Sequence, residues 1–435
     1  MIRRNKIFSK LVLGIFLAAS LSVSVPQSVF AASSRLGGTD RYDTSTKVSQ
    51  NGWTTSDYVV LASGQGYADA LCAAPVAKKF NAPILLTPSG TLSGQIKSEI
   101  ARLKATHVII IGGNASVSDA IEKQLSGMSL DVQRFGGKDR YETSAIVASK
   151  LLASAKEIVV ASGQGYADAL SIAPVAAIKG MPILLTSKDA VPDSVKSYIA
   201  SNKANIGKTY VIGGTGAISD NVSSSLPISF RINGKDRFDT NVSIMAYFAS
   251  NLKFDNLYIV RGVGPKGNEF ADALSAAALA AKNSSAVMLT YGDISKADSD
   301  FVKINIKSSS NIVAVGGTAA VPDSVMSTIQ QDVSSGSDSS SSSSADADLI
   351  SAANSLKTIK GLNSAQQSIV DSVVSVIDKH SSDANYDYSS DSQVASVKTQ
   401  YSALSSDDKT SFKTAIMNSG MSYSAAMTLK NKFGL

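Results

Sequence analysis

One phrase occurs three times in this 435-residue chain. It reads Arg35-Leu-Gly-Gly-Thr-Asp-Arg-Tyr-Asp-Thr-Ser45, then Arg134-Phe-Gly-Gly-Lys-Asp-Arg-Tyr-Glu-Thr-Ser144, then Arg231-Ile-Asn-Gly-Lys-Asp-Arg-Phe-Asp-Thr-Asn241. From Arg35 to Arg134 the spacing is 99 residues, and from Arg134 to Arg231 it is 97. Solenoid units run about 20–50 residues and must stack to bury a core. A unit about twice that long can enclose a core of its own. The spacing therefore predicts three copies of one domain, and three copies of any site it carries.

Three further blocks follow each phrase in constant order. The first is Leu61-Ala-Ser-Gly-Gln-Gly-Tyr-Ala-Asp-Ala-Leu71 and Val160-Ala-Ser-Gly-Gln-Gly-Tyr-Ala-Asp-Ala-Leu170, with an altered third copy from Val260 to Leu274. The next is Ala82-Pro-Ile-Leu-Leu-Thr87, Met181-Pro-Ile-Leu-Leu-Thr186 and Ala286-Val-Met-Leu-Thr290. The last ends in a diglycine: Val108–Gly113, Tyr210–Gly214 and Ile312–Gly317. Between blocks, short apolar runs (Tyr58–Ala62, Ile84–Thr87, His107–Ile111) and a short strand at Asp131–Phe135 alternate with amphipathic stretches (Tyr67–Phe80, Ser93–Lys104, Val117–Leu125, Lys138–Leu152). The strands read as continuous apolar runs, as expected when helices cover both faces. This alternation predicts an α/β fold with a parallel sheet in each unit. Ser116 is the expected N-cap of the helix after the first diglycine, and Pro322 suits a first helical turn in the third copy.

The ends differ from the middle. Arg3, Arg4, Lys6 and Lys10 precede an apolar run, and Val29-Phe-Ala31 supplies small residues for processing. Residues 1–32 read as a secretory leader rather than a membrane span. The chain's net charge of +6 includes those four cations, so the remainder is near +2. There is no basic arm of the kind that binds nucleic acid. The composition changes again after residue 332: 333–344 is serine-rich and reads as a flexible linker, and 345–435 as a small all-α module. In that module Ile369, Val373, Val376 and Ile377 form one apolar face, and Phe412, Ala415 and Ile416 another. The repeats are read as 33–132, 133–229 and 230–332.

Candidate sites carry two readings each. Arg41, Arg140 and Arg237 each follow an aspartate, and a guanidinium fork suits phosphate or carboxylate; the competing reading is a structural Asp–Arg unit. The Ser-Gly-Gln-Gly-Tyr loops open a helix, where backbone N–H groups favour an anion, but no dinucleotide or Walker fingerprint completes them. Tight-turn glycine is the competing role. Asp69, Asp168 and Asp272 sit where an acid stabilises a helix start; a ligand contact is the competing reading. Thr87, Thr186 and Thr290 end their strands, on the side where open α/β sheets bind ligands. The lone Cys72 is read as a small buried hydrophobe. With only His107 and His380, neither repeated, no catalytic set and no zinc site of ordinary spacing are expected. His380 reads as a helix-end residue, and Asp407 and Asp408 as helix N-terminal acids. No motif calls for a cofactor.

The four blocks resemble the cell-wall-binding repeat 2 family of Gram-positive surface proteins, over roughly Ser34 to Asp332. The resemblance implies three Rossmann-like repeats packed as a pseudo-threefold unit beside a variable module. It also implies non-covalent attachment to the wall by recognition of an anionic secondary wall polymer. The family's Pro-Ile-Leu-Leu motif is linked to polymer binding. It maps here onto Pro83, Ile84, Leu85 and Leu86 and onto Pro182, Ile183, Leu184 and Leu185; the third copy departs as Ala286-Val-Met-Leu289. The third copy's longer loop also carries Arg261 and Lys266. For the helical module, partner binding, assistance to an autolysin and a contribution to a surface layer stand as alternatives. A wall hydrolase acting through that module and a nucleotide-binding α/β protein are the competing functions.

Overall fold

The computed structural model describes residues 31–264, 270–338, 342–381, 383, 386–419, 421 and 423–435. The leader expected over 1–32 lies, up to residue 30, outside the described residues, as does Lys266. The first repeat runs β1 (Ala32–Leu36), α1 (Arg41–Gly52), β2 (Tyr58–Ser63), a short 3₁₀ turn and α2 (Ala73–Lys79), β3 (Ile84–Thr87), α3 (Gly94–Leu103), β4 (His107–Ile111) and α4 (Asp119–Ser126). The second runs β5 (Asp131–Phe135), α5 (Arg140–Leu151), β6 (Glu157–Ser162), α6 (Ala167–Lys179), β7 (Ile183–Thr186), α7 (Asp193–Asn202), β8 (Lys208–Ile212) and α8 (Asp220–Ser225). The third runs β9 (Ser229–Ile232), α9 (Arg237–Tyr247), β10 (Asn256–Arg261), α10 (Ala271–Lys282), β11 (Ala286–Thr290), α11 (Lys296–Asn305), β12 (Asn311–Val315) and α12 (Asp323–Asp338).

All three sheets are parallel and four-stranded, in the orders β3-β2-β4-β5, β7-β6-β8-β9 and β1-β12-β10-β11. The α/β fold expected from the sequence is therefore the fold observed. The sheets cross from one repeat to the next. Each opening phrase places its strand in the preceding sheet: β5 pairs with β4, β9 with β8, and β1 with β12, from Ala32↔Asn311 to Leu36↔Val315. The helix that follows packs on the next sheet: α1 on β3, α5 on β7 and α9 on β11. The first strand thus completes the last sheet, and the three units form a closed ring.

Helices α2, α6 and α10 pack pairwise against one another at the centre of that ring. Alanine-rich sequence permits this close approach, as in Ala271-Asp-Ala-Leu-Ser-Ala-Ala-Ala-Leu-Ala-Ala281. Buried side chains continue from repeat to repeat into one large core, with a smaller cluster on the outer face of the second unit.

One local expectation is corrected. Ser116 is not an N-cap: α4 starts at Asp119 behind Ser118, and the Ser116 hydroxyl donates instead to Asp69. The serine-rich segment is helical at its two described ends: α12 runs into it as far as Asp338 and α13 begins at Ser342, with Ser334 Oγ donating to the Gln330 carbonyl at 3.0 Å. Such back-bonding to the preceding turn lets serine remain in a helix.

The remaining chain forms five helices: α13 (Ser342–Leu356), α14 (Ser364–His380), α15 (Ser392–Ala403), α16 (Ser406–Asn418) and α17 (Tyr423–Phe433). They enclose their own core around Ile369, Val373, Ile377, Phe412 and Phe433. Among the described residues no helix is long and apolar enough to cross a membrane.

Candidate functional site

The acid of each Asp-Arg pair is a helix cap. Asp40 accepts the Tyr42 and Asp43 amides, Asp139 those of Tyr141 and Glu142, and Asp236 those of Phe238 and Asp239. Capping by aspartate contributes about 1 kcal/mol. The same phrase makes a second, long-range bond. Ser45 and Ser144 accept the amides of Leu86 and Leu185 through Oγ at 3.1 Å, and Asn241 accepts that of Leu289 at 3.0 Å. These bonds satisfy the outer edges of β3, β7 and β11, where a free amide invites stray pairing.

The arginine of each pair lies at a junction between units. Arg41 Nη1 donates to the Gly64 carbonyl at 2.5 Å, Arg140 to that of Gly163, and Arg237 to that of Gly262 at 3.2 Å. Those glycines directly follow β2, β6 and β10, so the guanidinium groups sit at the carboxyl ends of the strands. Each guanidinium also lies over an aromatic ring of the preceding unit. Arg140 is 5.6 Å from the Tyr67 centroid, Arg237 is 5.8 Å from that of Tyr166, and Arg41 is 5.6 Å from that of Phe270. Cation–ring contacts of this kind contribute about 0.5–2 kcal/mol, more as water is excluded. Nε and Nη2 of the three arginines make no hydrogen bond to the described residues, and each side chain is half-buried.

Tyr67, Tyr166 and Phe270 meet one another, with centroids 5.3, 5.2 and 5.9 Å apart. They plug the pseudo-threefold axis, and the three arginines ring the plug. Sequence spacing alone does not bring these three rings together. Their signal was an aromatic residue directly before Ala-Asp-Ala-Leu in every copy.

The aspartate two residues past each aromatic packs under the diglycine turn. Gly112, Gly213 and Gly316 have φ of 120°, 105° and 112°. A Cβ on any of them would run into the carboxyl group of Asp69, Asp168 or Asp272. Burial pushes the Asp168 and Asp272 carboxyls up to about 6, against the opposing pull of Arg237 and Arg41 respectively. The first arginine of each phrase closes the junction. Arg35 donates to Gly316 O at 3.1 Å, Arg134 to Gly112 O at 3.0 Å and Arg231 to Gly213 O at 2.7 Å.

The remaining candidate residues are enclosed. Pro83, Ile84, Leu85 and Leu86 are buried, as are Pro182, Ile183, Leu184 and Leu185. The hydroxyls of Thr87, Thr186 and Thr290 are spent on nearby carbonyls: Thr87 on Pro88 and Thr91, Thr186 on Ser187 and Ala190, Thr290 on Val260. These strands support the strand-end loops, and their side chains are buried. The Ser63 and Ser162 hydroxyls accept amides of their own loops, as a tight turn requires. In the third copy Arg261 pairs with Thr290 as Ser63 does with Thr87. Its side chain donates to Ala319 O at 2.8 Å and lies 5.6 Å from the ring of the exposed Tyr291.

Of the other reactive side chains, Cys72 is buried, and burial pushes its thiol well above the usual range. His107 stacks on Tyr58, and His380 ends α14 and stacks on Tyr386. Asp407 and Asp408 lie in the first turn of α16. Among the described residues no group of His, Cys, Asp or Glu is arranged to hold a metal ion.

The profile of the family "Cell wall binding domain 2 (CWB2)" matches residues 35–122, 134–223 and 231–326. The chain is 34% identical over 299 residues to the N-acetylmuramoyl-L-alanine amidase LytC of Bacillus subtilis strain 168, a match covering 69% of this chain and 58% of that protein. It is 34% identical over 266 residues to the amidase enhancer of the same organism, covering 60% and 35%. It thus spans little more than half, or less, of the length of these relatives. Among solved structures, Cwp8 from Clostridium difficile superposes with a TM-score of 0.63 at 27% identity, over 69% of this chain and 51% of that one. Cwp6 from the same organism gives 0.63 at 28%, over 70% and 48%.

Proposed function

The chain belongs to the cell wall binding domain 2 family, and from that premise we propose that it holds itself on the wall by binding an anionic secondary polymer at three inter-repeat junctions. Family membership implies cell-wall binding and a place at the cell surface. The finer reading rests on one observation: at each junction a half-buried guanidinium is fixed along one edge by a glycine carbonyl and open along the other. A fork held in this way is preorganised for a phosphate or carboxylate. Attraction by bulk charge is a poor alternative, since the chain without its leader region is near +2. Three modest sites on one polymer gain by effective concentration, so firm retention needs no single tight pocket. In this reading the Pro-Ile-Leu-Leu strands position the loops, and the arginines make the contacts. Export through the leader region fits the same role.

The test compares purified walls before and after chemical removal of their phosphate-bearing polymer. Sedimentation with intact walls and release from stripped walls is the expected result. Equal retention on both would sink the anionic-polymer reading while leaving wall binding in place.

The similarity to an amidase and to an amidase enhancer favours a second reading, in which the chain assists a wall hydrolase through its helical module. Release of wall fragments by residues 345–435, lost in His380→Ala, would support an enzyme there; inert fragments would leave the module as a binding or assisting element.

A further inference from the structure

The helical module docks on the third repeat through α17, which meets α9 and α11, and α16, which meets β9. The Tyr423 ring packs against Phe301 at 5.3 Å, and its hydroxyl accepts from Asn305 Nδ2 at 2.9 Å. Beside this contact a cleft of about 900 Å³ opens between the module and the second and third repeats. It falls in the size range of ordinary ligand sites.

Lysines enter this cleft from both bodies. Lys235 comes from the third repeat, and Lys413 and Lys430 from α16 and α17. All three are exposed and have no carboxylate within ion-pair distance among the described residues. Two further lysines, Lys179 and Lys296, are neutralised by Glu157 and Asp300. Asp239 also lines the cleft and feels the charge of Lys235, without a lysine at ion-pair distance. The floor adds charge. Lys208 sits 5.0, 4.6 and 5.6 Å from the ring centroids of Tyr210, Phe230 and Tyr247, and donates to Tyr247 Oη at 2.9 Å. This caged cation also lacks an ion-pair partner among the described residues, and Tyr210 and Tyr247 line the cleft above it.

Cations converging from two bodies repel one another unless an anion lies between them. Aromatic rings on the floor and the half-buried hydroxyls of Tyr247 and Ser243 in the lining suit a sugar or polyol chain better than a bare ion. We infer that this cleft is a fourth site for a polyanionic glycan, completed only when the helical module is docked. The module then takes part in holding the polymer. This inference rests on the preceding reading of the ligand class but uses residues outside the three junctions.

The test uses the full chain and a poly(glycerol phosphate) oligomer as probe, followed by calorimetry. Lys235→Ala, Lys413→Ala and Lys430→Ala together are expected to weaken binding about tenfold, the scale of losing one linked site. A control with the same charge change on exposed lysines elsewhere, Lys123→Ala, Lys150→Ala and Lys203→Ala, is expected to lose less than about twofold. Lysine acylation read by mass spectrometry should show Lys235, Lys413 and Lys430 protected by the oligomer. Equal losses in the two triple variants, or no protection at the three positions, would overturn the fourth site. Failure of the unaltered chain to bind any phosphate polymer would instead overturn the reading on which it rests.

Discussion

Asp168 and Asp272 show how the junctions are tuned. Both carboxyls are held near pH 6, well above the ordinary aspartate value, because burial outweighs the neighbouring arginine. The folded state therefore takes up a proton more readily than the unfolded chain. This contribution to stability is largest below about pH 4, falls as pH rises from about 4 to about 6, and is flat above. Asp168→Asn should accordingly raise the melting temperature at pH 7.5, with the gain vanishing toward pH 4; equal melting at pH 7.5 would contradict it. The same carboxylates lie beside the arginines proposed to meet the polymer. A phosphodiester keeps its charge across this range, so polymer binding should be tighter at pH 5 than at pH 7.5. That difference should disappear in the Asp168→Asn, Asp272→Asn double variant, as titration calorimetry can check. The aspartate of each Asp-Arg pair was legible as a helix cap, because capping is local. The partners of the arginine were not, since Arg140 and Tyr67 meet only after two units pack.

Among elements, the Pro-Ile-Leu-Leu strands were read correctly as strands and are wholly enclosed. Proline suits such an edge strand, because its missing N–H costs nothing there and its carbonyl still accepts from β2 or β6, as Pro83 does from Val60 at 3.0 Å and Pro182 from Val159 at 3.0 Å. What holds the edge is the hydroxyl of Ser45 or Ser144. Ser144→Ala leaves the buried Leu185 amide without that acceptor, and should cost about 1–3 kcal/mol in urea unfolding. A cost under about 0.5 kcal/mol, typical of a surface change, would show that the bond contributes little. Strand positions were legible because continuous apolar runs mark them. The start of α4 was not: Ser116 carries the right side chain for a cap, and a long-range bond to Asp69 takes it.

In the whole molecule the decisive property is closure. A periodic sequence has no phase, so the spacing of the phrases predicted three units without showing where each unit begins. The structure cuts each phrase in two, giving its strand to one sheet and its helix to the next. Removing residues 32–36 should uncover β12 and free the Gly316 carbonyl from Arg35. Scanning calorimetry should then show the third unit melting ahead of the others. An unchanged transition would mean that the ring gains nothing from closing. Closure also gives the three junctions one geometry, which suits holding a single polymer at several points.

Attachment at three linked junctions requires that the three arginines act together. The measurement is the affinity of the full chain for purified wall polymer as Arg41→Gln, Arg140→Gln and Arg237→Gln are introduced singly, in pairs and all three, with each variant's melting temperature recorded. Linked sites predict that each step costs about tenfold or more, compounding across the series to a loss of about a thousandfold or more. A folded triple variant that binds as tightly as the unaltered chain would contradict the central claim.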